Sequence, residues 1–371
     1  MLAGPKEERV NELTVEWVHK LYPQTSQISE FKDIRDWWAK NAIPWVVEEF
    51  IEDNISNAED NISNAVVQAA AEEIRIAAFN VIHHSCRRLA SMKSFLEGLD
   101  VTVVAKGMQD NPDCYHNYVV AVVGSTGRRE ADIKGDVDLN YIYECVAKFE
   151  CKKLLKELIA DKLTGEFART ETSQNGEKIQ FVIEDKDERY FDTGKLLPPE
   201  KMDQFKTDYA LNLLIGSFAI RGDRKLEEIK SQFLNVAEEY RSGFSLAMLS
   251  RAEKPYAIMK DEAETRDISQ CAELAYKVIS RVLISLAVYY LPYTTWEKNY
   301  LILAEELRKN NYIDTGYWSS VRSALIWATK WRGNMRKEID YTGYASLLNR
   351  LTCFWKLMEK HKIAMGAQGV R

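Results

Sequence analysis

The chain lacks any apolar run near the ~18 residues that a membrane-spanning helix needs. Its most hydrophobic long stretch, Val278 to Leu291, is interrupted by Arg281 and by two serines. The N-terminal residues also lack the apolar centre of a secretory signal. We therefore expect a cytoplasmic protein that makes no use of a membrane.

Cysteine and histidine are scarce and poorly spaced for a metal site. None of the six cysteines has CxxC spacing, and the five histidines complete no zinc pattern. His83 and His84 lie near Cys86, but adjacent residues on a helix point about 100° apart, so packing is the better interpretation. We expect reduced thiols, mostly buried.

An excess of positive charge is also missing, because the net charge is −6. Binding to nucleic acid in general requires a basic surface that displaces counterions. A nucleic acid is therefore a less expected partner than a protein or a small molecule.

The pattern of apolar residues divides the 371 residues into three expected units. Residues 1–100 form an N-terminal helical region, residues 101–226 form a core with strands, and residues 227–371 form a C-terminal helical bundle. Within the first region the heptapeptide EDNISNA occurs twice in succession over 52–65. It continues an apolar stripe that either docks on its own domain or pairs with a partner helix, as in a homo-oligomer.

Strands are predicted where β-branched residues replace the helical period. The expected strands are Val101 to Ala105, Tyr118 to Val123, Val137 to Tyr143, a hairpin that turns at Asn175-Gly176, and a short strand from Arg189 to Thr193. Helices are expected at 208–219, 226–240, 268–290, 296–309, 317–335 and 347–362.

The segment from Val122 to Tyr143, VVGSTGRREADIKGDVDLNYIY, carries the chemistry. An apolar strand ends at Gly124-Ser125, where glycine allows the backbone to approach an anion and the serine hydroxyl can bond a phosphate oxygen. Arg128 and Arg129 follow as cations suited to phosphate. The segment predicts a phosphate-binding turn.

Asp136 and Asp138 follow eleven residues after Ser125. Residues i and i+2 of a strand point to the same face, so the two carboxylates are held close together and favour a hard cation between them. Mg²⁺, or Mn²⁺ in its place, prefers such oxygen ligands, and this inventory suits phosphoryl or nucleotidyl transfer.

This combination resembles the nucleotidyltransferase superfamily of DNA polymerase β, in which hG[GS] is followed about ten residues later by hDhDh. The segment is most similar to the branch of the bacterial PII-protein uridylyltransferase and of the nucleotidyltransferase-like proteins that follow CBS domains, which read GSxGRRE…TDxD. The stretch from Asp208 to Asp223, ending in Arg221-Gly222-Asp223, is also similar to that branch. The resemblance implies an α+β fold with a small mixed β-sheet core, Gly124 and Ser125 as nucleotide binders, and Asp136 and Asp138 as catalytic metal ligands.

The family usually carries a third carboxylate on a later strand. Asp192 in Tyr190-Phe191-Asp192-Thr193-Gly194 is the preferred candidate, and Glu184 and Asp185 are the alternatives. If the strand is compared strictly with that of the family, Gln180 occupies the position of the third carboxylate. A missing third acid would indicate a slow or degenerate enzyme.

A similar "YxPYxxW.K" corner occurs in the C-terminal helical domain of small-molecule nucleotidyltransferases, where it forms part of an acceptor pocket. Here Tyr290, Tyr293, Trp296 and Lys298 occupy it and could stack on a base or reach phosphates. The competing interpretation is an aromatic corner within the core. The same two interpretations apply to Trp327, Lys330, Trp331 and Arg332, and core packing is preferred for both groups.

Two functions are consistent with these patterns. The first is a Mg²⁺-dependent enzyme that moves a nucleoside monophosphate from a nucleoside triphosphate, such as ATP, to a hydroxyl group of a protein or small molecule. The second is a catalytically weak nucleotide-binding protein with a regulatory or scaffold role, which retains the fold and the pocket.

Overall fold

The computed structural model describes residues 7–41, 47–48, 51, 64–99, 118–131, 137–143, 181–187, 211–262, 268–295, 299–312, 315–333, 348–349, 351–352 and 354–362. In chain order its main elements are α1 (Glu7–Leu21), α2 (Phe31–Asn41), α3 (Asn64–Leu99), β1 (Tyr118–Val123), β2 (Val137–Tyr143), β3 (Phe181–Asp187), β4 (Phe218–Arg221), α4 (Asp223–Glu239), α5 (Arg241–Glu262), α6 (Ile268–Tyr290), α7 (Tyr300–Lys309) and α8 (Thr315–Gly333). Helices with one small sheet make an α+β protein, which confirms the expected fold class at this level.

The four strands form one mixed sheet in the order β3-β2-β1-β4. Strand β1 pairs antiparallel with both β2 and β4, and β2 pairs parallel with β3. Residues Val119 to Val123 of β1 are at most 5% exposed, so both faces of this strand are covered. Its unbroken apolar sequence reflects that position, because a strand with one solvated face alternates apolar and polar residues.

Packing divides the chain into two compact units that differ from the three sequence-based regions. One unit contains residues 1–26 and 82–239, and the other contains residues 27–81 and 240–371. Residues 1–100 are thus shared between the units, and the division falls within α3. This helix has 36 residues, and the boundary between Val81 and Ile82 therefore falls inside one continuous element.

In the first unit, α1 and α3 lie against the sheet. Trp17 of α1 meets Phe218 of β4 edge to face, with 4.5 Å between ring centroids. Two ion pairs join the helices, Arg9 with Glu97 at 3.2 Å and Arg87 with Glu7 at 2.7 Å. The apolar contacts provide most of the stability here, because surface ion pairs contribute little.

In the second unit, polar contacts fix the register between packed helices. The hydroxyls of Ser245 in α5 and Ser285 in α6 lie 2.8 Å apart, and both residues are buried. The Tyr300 hydroxyl of α7 lies 3.1 Å from Thr329 Oγ1 of α8. None of the helices in the described ranges is long and apolar enough to cross a membrane.

The structure corrects one expected element and adds another that was not predicted. The helix expected over 208–219 is helical at 211–216, but Phe218–Arg221 is strand β4. The edge of β1 offers hydrogen-bonding groups that these residues satisfy, and this pairing overrides the local helical period. Helix α5 was not predicted, and Pro255 lies inside it.

Strands β1 and β2 have the predicted bounds, and α3, α4, α6, α7 and α8 lie where helices were predicted. The expected strands at 101–105 and 189–193, the turn at Asn175-Gly176 and most of the EDNISNA repeat lie outside the described residues.

Candidate functional site

The pairing of β1 with β2 brings Asp138 to the end of β1. In the antiparallel register Asp138 is opposite Val123, the last residue of β1. Gly124 follows with φ +67°, and a Cβ built on it would collide with Oδ2 of Asp138. The carboxylate therefore lies directly against the Gly124 backbone, and a side chain at Gly124 would displace it.

A single helical turn, Gly124–Gly127, follows β1. Its carbonyl groups are turned toward the following residues: Arg128 N donates to Gly124 O at 3.1 Å, and Glu130 N donates to Ser125 O at 2.8 Å. Thr126 and Gly127 are buried, whereas Gly124 and Ser125 are half-buried. The half-buried part of the turn is thus the part that borders Asp138.

Gly127 allows the turn to pack closely on the rest of the unit. A Cβ on it would collide with the carbonyl oxygen of Gly216 and approach that of Val122 to 2.5 Å. On the other side, Ser85 of α3 accepts a hydrogen bond from Ala131 N at 3.0 Å. The turn is therefore held from the sheet and from α3.

Arg128 and Arg129 contact groups of their own unit. The Arg128 Nε donates to Glu130 Oε2 at 3.0 Å, and the Glu130 side chain is fully buried. Arg129 has φ +59°, and its guanidinium lies 4.9 Å from the centroid of the Phe218 ring. These contacts hold the turn, and the expected role of both arginines in binding phosphate stays a prediction.

Cys86 of α3 is a free, fully buried cysteine, as expected from the sequence. Burial raises the pKa of its thiol to about 12, and the positive charge of Arg129 opposes this only in part. The thiol is therefore protonated at neutral pH and is a packing residue. Among the residues that the structure describes, no group of three His, Cys, Asp or Glu side chains could hold a metal.

The other predicted acids are only partly described. Asp136 and Asp192 lie outside the described residues. In the parallel register of β2 and β3, Val182 is opposite Asp138, Glu184 is opposite Asn140, and Asp185 is opposite Tyr141. Paired residues of neighbouring strands share a face of the sheet, and faces alternate along a strand. By register, Glu184 is therefore at a position on the same face as Asp138, and Asp185 is at a position on the opposite face.

Asn140 is a residue that the sequence analysis did not select. It is only 1% exposed, and its Oδ1 atom has no hydrogen-bond partner among the described residues. Asn140 lies two residues after Asp138 on β2, so strand alternation places both on one face. The available signal was a polar residue at an even offset from Asp138 within an otherwise apolar strand.

The aromatic corner of the second unit is partly described. Tyr290 stacks on Tyr312 with 4.8 Å between ring centroids, and its hydroxyl lies 3.4 Å from His361 Nδ1. Burial, together with neighbouring Tyr289, raises the pKa of the Tyr290 phenol. Tyr293 is 42% exposed, and Trp296 and Lys298 lie outside the described residues. The described part combines a packed ring, Tyr290, with an accessible one, Tyr293.

Of the later group, Trp331 and Arg332 are core residues as expected, whereas Trp327 and Lys330 are half-buried. Trp331 and Arg332 are each 4% exposed. Arg332 lies over the Tyr276 ring and pairs with Glu273 of α6 at 3.3 Å. Trp327 stacks on Trp331, and Lys330 pairs with Glu73 at 3.3 Å.

His361 gives the second unit a pH dependence that can be measured. Burial lowers the pKa of His361 from 6.5 to about 4, so the folded chain favours the neutral ring. The contribution of the neutral His361 ring to stability is present above pH 6.5. It is lost as the pH falls from 6.5 toward 4, because the unfolded chain binds the proton more tightly than the folded chain does. His361 should lower the free energy of unfolding of the wild type by on the order of 3 kcal/mol between pH 6.5 and pH 4. We expect His361→Phe to abolish this decrease, as measured by urea unfolding at a series of pH values.

Tyr290→Phe is the matched control for this measurement, since it removes the hydroxyl near Nδ1 but retains the imidazole. It should keep the wild-type pH dependence. Equal slopes for His361→Phe and wild type would show that another group is responsible.

The chain matches no protein-family model and no curated protein.

Proposed function

We propose that this chain is a Mg²⁺-dependent nucleotidyltransferase that moves a nucleoside monophosphate from a nucleoside triphosphate to a hydroxyl group of a protein or small molecule. The observation that carries the proposal is the contact between the Asp138 carboxylate and the Gly124 backbone at the end of β1. A cation ligand and a turn suited to phosphate are thereby brought together by strands β1 and β2.

The donor set fits a hard divalent cation. Asp138 supplies carboxylate oxygens, Asp136 stands two residues earlier in the sequence, and the orphaned oxygen of Asn140 lies on the same face of β2. Mg²⁺ prefers oxygen ligands and is usually held by one or two carboxylates together with substrate phosphates. When bound, the cation supplies charge neutralisation at the phosphoryl group.

The chain's own residues supply the rest of the chemistry. Ser125, which is half-buried in the turn, is proposed to bond a phosphate oxygen through its hydroxyl, and Gly124 carries no Cβ that would keep an anion from the backbone there. The buried pair of Arg128 and Glu130 holds the turn in place. Such fixed positioning is a main contribution of a protein to phosphoryl transfer, because the reacting groups need little covalent assistance.

Among the acids on β3, the register favours Glu184 over Asp185 as the third carboxylate. Asp192 remains the preference from the sequence alone. In the second unit, the exposed Tyr293 and the half-buried Tyr290 are proposed to contribute to binding the acceptor.

One observation favours the second function, a catalytically weak nucleotide-binding protein. The position of β3 directly opposite Asp138 is Val182, so β3 supplies no acidic residue at that register position. An enzyme with an incomplete acid set would retain binding while turnover became slow.

The proposal is tested by incubating the full chain with Mg²⁺ and each labelled nucleoside triphosphate, and measuring diphosphate release and labelling of the protein. We expect Asp136→Asn combined with Asp138→Asn to lower turnover by about 100-fold or more, since charge stabilisation by the metal contributes several kcal/mol to the transition state. Glu12→Gln combined with Glu16→Gln removes two exposed charges from α1 and should leave turnover unchanged.

A comparison of Mg²⁺-nucleotide binding between the wild type and the double variant at Asp136 and Asp138 distinguishes the two functions. Wild-type binding that the double substitution abolishes, without turnover in either protein, would favour the weak nucleotide-binding protein. Equal binding by both proteins without turnover would exclude the enzyme.

A further inference from the structure

Asn140 presents a buried acceptor that the described part of the chain does not satisfy. The residue is 1% exposed, and its Oδ1 atom meets no hydrogen-bond donor among the described residues. Buried polar atoms almost always have a partner, and an exception in a folded protein indicates a missing water, ion or ligand. Among the described residues, the Asn140 oxygen therefore leaves a position for a water, an ion or a ligand.

The position of Asn140 relates this component to the candidate site. Strand alternation places Asn140 on the same face as Asp138, two residues further along β2. Its register partner on β1 is Ala121, which has the smallest side chain of that strand. The neighbours on that face of β1, Val119 and Val123, carry no polar side-chain atom and cannot donate a hydrogen bond. The β1 side chains on this face therefore leave a hydrogen-bond donor to be supplied.

The chemistry of the missing partner follows from the acceptor. Phosphate oxygens are acceptors themselves, so they cannot satisfy a carbonyl oxygen. Water bound to a divalent cation is a strong donor, and Mg²⁺ characteristically keeps several such waters. Because Asp138 on the same face is the proposed ligand of a cation, a coordinated water is the donor that this site would bring to Asn140.

We infer that Asn140 is a positioning residue of the metal site, whose side-chain oxygen accepts a hydrogen bond from a water coordinated to the divalent cation that Asp138 holds. This inference rests on the proposed function, because it assumes the cation. It adds a neutral outer partner to the Asp138 carboxylate, two residues further along the same face of β2.

The test measures Mn²⁺ binding to the full chain without nucleotide, by the electron paramagnetic resonance signal of free Mn²⁺. We expect Asn140→Leu to weaken Mn²⁺ binding by about 10- to 100-fold, the range typical of outer-shell partners of a metal. Asn140→Asp should restore the affinity, because its carboxylate also accepts and adds negative charge. Without metal, Asn140→Leu should melt at the same or a higher temperature, since it removes the unsatisfied acceptor.

The reference variant Asp138→Asn distinguishes failure of the inference from failure of the proposed function. If Asp138→Asn weakens Mn²⁺ binding and Asn140→Leu does not, the inference is overturned while the metal site stands. If neither substitution changes Mn²⁺ binding, the metal site and the proposed function both fall. An Asn140→Leu protein that melts at a lower temperature without metal, and is not rescued by Asn140→Asp, would show a purely structural asparagine. If Asn140→Leu does not fold, Asn140→Ala carries the same expectations.

Discussion

Replacing Gly124 with alanine is expected to lower both Mg²⁺-nucleotide binding and turnover by about 100-fold, the effect of displacing a site by roughly 1 Å. Gly124 has φ +67°, which side chains other than glycine adopt at a cost, and the new Cβ would collide with Oδ2 of Asp138. Either the turn or the carboxylate must move. Binding by calorimetry and turnover by diphosphate release measure the outcome.

Gly98→Ala is the matched control, because a Cβ on Gly98 would meet no atom within 4 Å. It should preserve binding and slightly increase stability, since alanine favours the helix more than glycine does. A Gly124→Ala protein with wild-type binding would show that the contact between Asp138 and the turn is not needed for function.

Glu130→Gln is expected to lower the free energy of unfolding by about 3 kcal/mol, the loss seen when one partner of a buried ion pair is removed. The Glu130 side chain is fully buried, and that of Arg128 is 12% exposed, so water would compensate poorly for the missing charge. Urea unfolding of the wild type and the variant measures this difference.

Two further variants sharpen this measurement. Glu97→Gln breaks the exposed pair with Arg9 and should cost less than about 1 kcal/mol. Adding Arg128→Met to Glu130→Gln should recover part of the lost stability, because the buried charge is then removed as well. If Glu130→Gln were as mild as Glu97→Gln, the pair would not hold the turn.

The central strands could be predicted from the sequence because their composition allows few alternatives. Tyr118–Val123 and Val137–Tyr143 have the predicted bounds. Each combines β-branched or aromatic residues with a clear end, the first at Gly124 and the second where the apolar run stops. Here the local pattern and the tertiary structure agree.

Other elements depend on contacts that a local pattern does not contain. Phe218–Arg221 continues a helical period in the sequence, yet it forms β4 because β1 provides an edge to pair with. Helix α5 contains Pro255, which usually ends a helix, and its apolar residues follow no clear stripe. The packing of α5 against α6, including the contact between Ser245 and Ser285, stabilises it nevertheless.

The residues of the candidate site also differ in how far the sequence alone reveals them. Asp138 and Gly124 were recognisable because their spacing predicts two adjacent chain segments with related chemistry, and the structure brings them together. Arg128 and Arg129 were selected for their charge alone, and only the structure shows the buried pair with Glu130 and the contact with Phe218. Asn140 was missed because an orphaned acceptor is a property of the folded interior.

The pairing of Val123 with Asp138 also determines how the site can be lost. A slip of β2 by one residue along β1 would place Val137 or Leu139 beside Gly124 and move Asp138 to the opposite face. Val137 and Leu139 are both fully buried, so the same slip would move these core residues out of their packing positions and bring an acid in their place. Errors in strand alignment would therefore abolish chemistry and folding together, and selection for a stable sheet also preserves the position of the carboxylate.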